Sequence, residues 1–378
     1  MDQSPELGAA PEAAWNEHLK AGLADPKRAY SFDMDDAPEE RALAQVGPLS
    51  EALRLINAAL GEPFQTSDSA ALRNQATHRK LAKWAMWTGA SAVLLAIVQP
   101  ALTETLPDLR IKAAWLEAIA AFSGFVAVLL GLRVKTNNRW FVERHRAERL
   151  RMLKFLALGR PELWCGDTAA WRAWIDEQVR AIMGVQTIEQ VKLWAESGNA
   201  EVELPPPPAC VPPPAALASA STYYRWKRVE YQASYFNKQA AKYREQTRRL
   251  TRLPLPLFFL SILAVGVHFA AGWMNAHAAA APAALHAWHA TEVWALAVAA
   301  VLPVCGLCIK AWLGAFEHTR SASLFGAKAR ALLQLSNQLR QDQDDLTATM
   351  RHIAHAEHFL AQEHREWLRL LLEAEWFL

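Results

Sequence analysis

The chain has 378 residues, 52% of them hydrophobic, and its 40 Lys+Arg against 38 Asp+Glu leave a formal charge of +2. That length would ordinarily make two or three soluble domains, but the apolar residues are gathered into blocks with basic residues concentrated beside them. This excludes a nucleic-acid binder, which carries its basic surplus over a whole domain, and points to a lipid bilayer as the partner.

Residues 1–71 are polar and interrupted by proline, with an acidic patch at Asp33, Asp35, Asp36, Glu39 and Glu40 and one predicted helix near Leu49–Leu60. A partly ordered N-terminal cytoplasmic segment is expected. Its first residues, MDQSPELGAAPEAAWNEH, lack the basic and apolar regions of a signal peptide, so targeting falls to the first span. Residues 72–160 read as a first hairpin with flanking helices. No charge interrupts 84–103, and a helix of that length, at about 1.5 Å per residue, crosses roughly 30 Å of hydrocarbon. After a break at Pro107 and Asp108, residues 113–132 form a second apolar run, interrupted only by Glu117.

A connector at 161–221 contains the run PPPPACVPPP at Pro205–Pro214, which imposes extended polyproline geometry and separates the two halves. Residues 222–340 repeat the plan, with spans at about 255–273 and 293–316 around an Ala/His-rich stretch containing Pro282. Residues 341–378 form a C-terminal heptad helix. The fold class expected is therefore an all-α membrane protein with two transmembrane helical hairpins, four spans in all, and long cytoplasmic helices. The two similar halves suggest a degenerate internal duplication.

Orientation follows from the short flanks. Arg79, Lys80 and Lys83 precede the first span, and Arg133, Lys135, Arg139, Arg144, Arg146, Arg149 and Arg151 follow the second. Lys242, Arg244, Arg248, Arg249 and Arg252 precede the third, and Lys310 and Arg320 close the fourth. One hairpin loop holds only Arg110 and Lys112, and the other holds no Lys or Arg. A multi-pass protein of the bacterial inner membrane, with both termini cytoplasmic, is expected.

Two heptad seams continue out of the spans. Val229, Ala233, Phe236, Ala240, Tyr243, Thr247 and Leu250 alternate by four and three residues, and intramolecular packing is the expected use. The C-terminal seam holds Leu346, Met350, Ile353, Glu357, Leu360, His364, Trp367, Leu371, Ala374 and Leu378. Met350, Ile353, Leu360, Trp367 and Leu371 are expected to form the contact of a homo-oligomer. Glu357 and His364 would then fix its register, or make a proton-sensitive contact.

No phosphate-binding loop, dinucleotide fingerprint or nucleophile elbow appears, and the chain does not read as an enzyme; no cofactor or metal is expected. His352, His355 and His358 rotate by about 60° per step around a helix and show no fourth ligand. Cys305 and Cys308 lie in an apolar span, where small polarizable residues suit helix packing. Cys165 and Cys210 are isolated in polar segments, so reduced thiols are expected throughout. Ionisable residues within spans are candidate pathway groups: here His268, Glu117 and Lys310. Glu117 and Lys310 lie near span ends, where the head group snorkels to the interface.

Arg228, Glu230, Gln232, Tyr235, Lys238 and Ala240 before the third span, Trp140, Arg144, Ala147, Glu148, Leu150 and Arg151 after the second, and Glu363, His364 and Trp367 near the end carry a resemblance. Over 72–160 and 222–378 the chain resembles the SLATT superfamily, the SMODS- and SLOG-associating two-transmembrane effector domains of bacterial conflict systems. It departs from that pattern in having two hairpins and no recognisable nucleotide-sensing domain. The resemblance implies an effector that oligomerises and permeabilises the inner membrane, with a separate cytoplasmic sensor protein as partner. A membrane scaffold or a constitutive channel is the alternative.

Overall fold

The structure is a computed structural model that describes residues 13–17, 38–134, 136–197, 214–277, 282–315 and 318–373. The proline run at 205–213, Cys210 and the acidic Asp33, Asp35 and Asp36 lie outside the described residues. Every regular element among the described residues is helical, and four helices are long and apolar enough to cross a membrane. The chain is an all-α membrane protein.

In chain order the helices are α1 (Pro38–Ala44), α2 (Gly47–Thr105), α3 (Arg110–Val134), α4 (Thr136–Leu158), α5 (Pro161–Trp164), α6 (Thr168–Met183), α7 (Ile188–Glu196), α8 (Pro214–Tyr224), α9 (Tyr231–Arg252), α10 (Pro254–His277), α11 (Pro282–Ala315), α12 (His318–Gln341) and α13 (Leu346–Glu373). A π-helical turn at Arg225–Glu230 joins α8 to α9. Local signals set several of these ends. Asp167 caps α6 by accepting from the Ala170 N–H, and Thr187 with Gln190 forms a reciprocal capping box at α7. Pro254 and Pro282 open α10 and α11, where a missing N–H costs nothing. The helix expected near Leu49–Leu60 is longer than the sequence suggests: α2 runs unbroken through Pro63 and Pro100 to Thr105.

The chain forms two compact units. The first is assembled from Met1–Thr77, Lys135–Gln239 and Phe325–Phe377, and the second from His78–Val134 with Ala240–Leu324 and Leu378. Helices α2, α9 and α12 each contribute residues to both.

The first unit has a conventional interior. Leu49, Leu53, Ile56, Leu60 and Phe64 of α2 recur every three or four residues and bury one face. Against that core lie Leu150, Leu153 and Phe155 of α4, Trp171 and Ile175 of α6, and Val229, Ala233 and Phe236 at the α9 seam. The α9 seam is thus used within the chain, as its reading anticipates. So are Met350, Ile353 and Leu360 of the C-terminal one, each buried within the chain. Ile353 and Leu360 are buried in the same core, Met350 packs with Leu217 and Leu346, and Trp367 stands edge-on to Trp140 and Phe141. Leu371 lies on α13, with its side chain outside the described residues. The apolar stripe is covered by neighbours the sequence could not identify, because they lie far away along the chain.

The second unit is packed the other way out. Its buried positions are small, among them Ala101, Ala113, Ala127, Ala271, Ala295, Ala297 and Ala299. Trp87, Trp115, Phe122, Phe125, Leu255, Ile262, Phe269 and Trp273 are exposed. Small residues let helices approach while large apolar ones face lipid, the arrangement expected where hydrocarbon is the solvent. In the first hairpin a Cβ on Gly124 would come within 2.9 Å of Thr88 Oγ1, and Trp84 Nε1 donates to Ser123 Oγ at 2.8 Å. In the second, Ser261 Oγ donates to the Ala299 carbonyl at 2.8 Å and a Cβ on Gly306 would touch the Phe258 ring at 3.3 Å.

Candidate functional site

In the second unit, His268, Glu117 and Lys310 are not brought together: no hydrogen bond or ion pair joins any two of them. Lys310 is exposed and Glu117 half-buried. His268 is half-buried on α10, with Nδ1 3.0 Å from the Glu292 carbonyl oxygen, a contact that requires a proton on Nδ1. The Glu292 carboxylate lies against Gly272, where an added Cβ would meet Oε1 at 3.1 Å. Nearby chain positions carry His289 Nε2 beside Glu104 at 3.4 Å, and Trp294 Nε1 donating to Thr105 Oγ1 at 3.2 Å. Polar groups therefore gather where the hairpin tips begin. Glu292 and His289 escape the sequence reading because the fourth span is expected to start just after them.

The first unit has a charged interior. Arg228 donates through Nε and Nη2 to Glu357 at 2.9 and 2.8 Å, and the Tyr224 hydroxyl donates to the same carboxylate at 2.9 Å. The π-helical turn aids this arrangement by burying Arg225, Trp226, Lys227, Arg228 and Val229 in succession. Arg225 reaches Glu230 at 2.8 Å, and Glu230 also accepts from Ser336 and from Trp15 Nε1. Glu148 is shared by Arg144 and by Arg151, the latter at 2.7 Å. Burial works against the Glu148 charge, but the two guanidiniums outweigh it and hold the carboxyl well below its usual range. Glu363 behaves oppositely: burial dominates over Lys328, 3.8 Å away, and raises it to about 7. His145 Nδ1 lies 3.3 Å from His364 Nε2 in a stacked, buried pair. Burial pushes His364 down to about 4, with Glu148 opposing it and Arg144, Arg149 and Arg151 adding to it; burial, reinforced by His364 and by Arg149 and Arg146, pushes His145 to about 2. Glu357 and His364, read as neighbours on one seam, thus belong to two separate networks.

Beside these networks lies a cavity of about 230 Å³ walled by α4, α6, α7 and α13. It is lined by apolar side chains, Met152, Leu153, Leu156, Ile182, Met350 and Ile353, and by polar ones, Arg149, Arg160, Gln178, Glu357, His358 and Arg365. Arg160 is held by Glu162 at 2.6 Å and lies over Trp174. Arg149 and Arg365 both lie over Trp194, 5.1 and 4.7 Å from the ring centre. In the sequence these two arginines look like part of the positive-inside signal and of a solvated helix face.

Cys165 is disulfide-bonded, which corrects the expectation that all four cysteines are reduced; Cys305 and Cys308 are free. His352 bonds Asp342 at 2.8 Å and His358 lies 2.9 Å from the Gln362 amide, so the spaced histidines serve different neighbours. No family model, curated protein or solved structure matches the chain.

Proposed function

We propose that this chain is a bacterial inner-membrane effector that oligomerises and permeabilises the membrane in response to a cytoplasmic signal delivered by a separate sensor protein. The observation that carries this reading is the sharing of α2, α9 and α12 between a charged-core unit and a unit of four apolar helices. Any repacking of the first unit is felt by helices that enter the second. The resemblance to the SLATT superfamily supports the same role. Within one copy, the hairpin contacts are made by small residues and by hydroxyls already bonded across them, so a conducting path calls for several copies or a rearranged one. The seam on α13 is engaged inside the chain, so copies associate through the apolar faces of the hairpins.

The basic flanks support a cytoplasmic first unit. The test is controlled expression in a bacterial host with a potential-sensitive dye. Loss of membrane potential and growth arrest are expected, and deletion of residues 84–132 or of 255–315 should abolish both. Full potential and normal growth at high expression, with the protein shown to be in the inner membrane and its genomic neighbours co-expressed, would overturn the effector reading and leave a membrane scaffold in its place.

A further inference from the structure

We propose that the cavity of the first unit is a binding site for a small phosphate ester whose remaining part is apolar or aromatic. The inference goes beyond the effector role and does not depend on it. The unit gives carboxylate partners to other interior arginines: Arg228 to Glu357, Arg225 to Glu230, Arg144 and Arg151 to Glu148. Arg149 and Arg365 are treated differently. Neither meets a carboxylate, and both line the cavity. Two guanidiniums crowd one indole and repel each other, and burial together with that repulsion lowers Arg149 to about 10.

The missing partner is an anion with several acceptor oxygens, because guanidinium donors match phosphate geometry. Glu357 does not serve, although it lines the cavity: its oxygens already accept from Arg228 and Tyr224. The ligand is more than a bare ion, since Met152, Leu156, Ile182, Met350 and Ile353 line the same cavity as the arginines. At about 230 Å³ the cavity lies below the roughly 300–1,000 Å³ of sites for drug-sized molecules, so the ligand is small. Gln178 and His358 stand on the rim as further hydrogen-bonding groups. A soluble metabolite and the phosphate end of a lipid both offer this chemistry.

The full chain in phosphatidylcholine nanodiscs, titrated calorimetrically with phenyl phosphate, inorganic phosphate and phenol, tests this. Phenyl phosphate should bind more tightly than either fragment. Arg365→Gln and Arg149→Gln should each weaken it by about 10- to 100-fold, the value of a charge-assisted bond. Arg54→Gln, on the surface beside Glu51, should not. Arg365→Gln should unfold at no lower temperature than the parent, because it removes a buried charge without an anionic partner. Repeating the titration with phosphatidic acid in the nanodisc identifies the source: an occluded site supports a lipid, an unchanged one a soluble ester. Absence of phenyl phosphate binding, or equal affinity in the parent and both arginine variants, would overturn the proposal. So would lowered stability of Arg365→Gln with binding intact.

Discussion

Glu357 is the most instructive residue to perturb, because its carboxylate takes both a bidentate arginine and a tyrosine hydroxyl, with 1% of its side chain exposed. Glu357→Ala leaves the Arg228 guanidinium, itself 5% exposed, buried without its charge partner. Breaking such a pair costs about 3–5 kcal/mol, far more than the pair contributes over an apolar replacement. For a domain of this size each kcal/mol moves the midpoint by roughly 2–4 °C, so a loss of about 10 °C is expected. Replacing both partners with Glu357→Leu and Arg228→Met should recover most of it, leaving Tyr224 short of an acceptor at about 1–3 kcal/mol. Adding Tyr224→Phe should recover that as well. Thermal unfolding of the detergent-solubilised protein, followed by tryptophan fluorescence, measures the series. A midpoint for Glu357→Ala indistinguishable from the parent, or a triple variant no better than the single, would refute the assignment of Arg228 and Glu357 as a desolvated pair.

Two further outcomes follow from the geometry. His364 and His145 have folded pKa values below the unfolded 6.5, so their contribution is present above 6.5 and is lost as pH falls toward about 4. Glu363 is raised to about 7, so its contribution is full below 4.5 and is lost as pH rises through 7. The two trends oppose each other between 4.5 and 6.5, but two histidines outweigh one carboxyl, so the parent should lose stability with a net slope of about one proton as pH drops, and Glu363→Gln about twice as steeply; a flat profile for the variant would show that the histidines are not held neutral. In the first hairpin, Gly124→Leu should disrupt packing against Thr88 and reduce the yield of folded protein on size exclusion, while Gly89→Leu, with nothing within 4 Å of its Cβ, should behave as the parent. Equal loss at both positions would remove the close approach at Gly124 from the account of that hairpin.

The spans are legible because hydrocarbon demands long runs without charge, and 84–103 and 255–273 satisfy that demand residue by residue. The inner ends of α2 and α13 are not. Pro63 reads as a breaker, yet the helix continues through it with Phe64 buried next to it, since tertiary packing outweighs one missing hydrogen bond. The α13 stripe shows plainly that it will be covered, but a heptad pattern does not say by whom. Least visible is the polar interior. Arg228 and Glu357 are 129 residues apart and His145 and His364 are 219 apart, so each looks alone like part of a solvated face. The arginines of the cavity are hidden for the same reason, and because charge beside a span has a ready explanation in topology.

The separation of Arg228 from Glu357 also sets a timetable for biosynthesis. At about 5–20 residues per second, the 129 residues between them take roughly 6–26 s to emerge from the ribosome. During that interval the third and fourth spans are made, while Val229, Ala233 and Phe236 wait for Ile353 and Leu360 to complete their core. A chain halted before α13 therefore has all four membrane segments and no closed first unit.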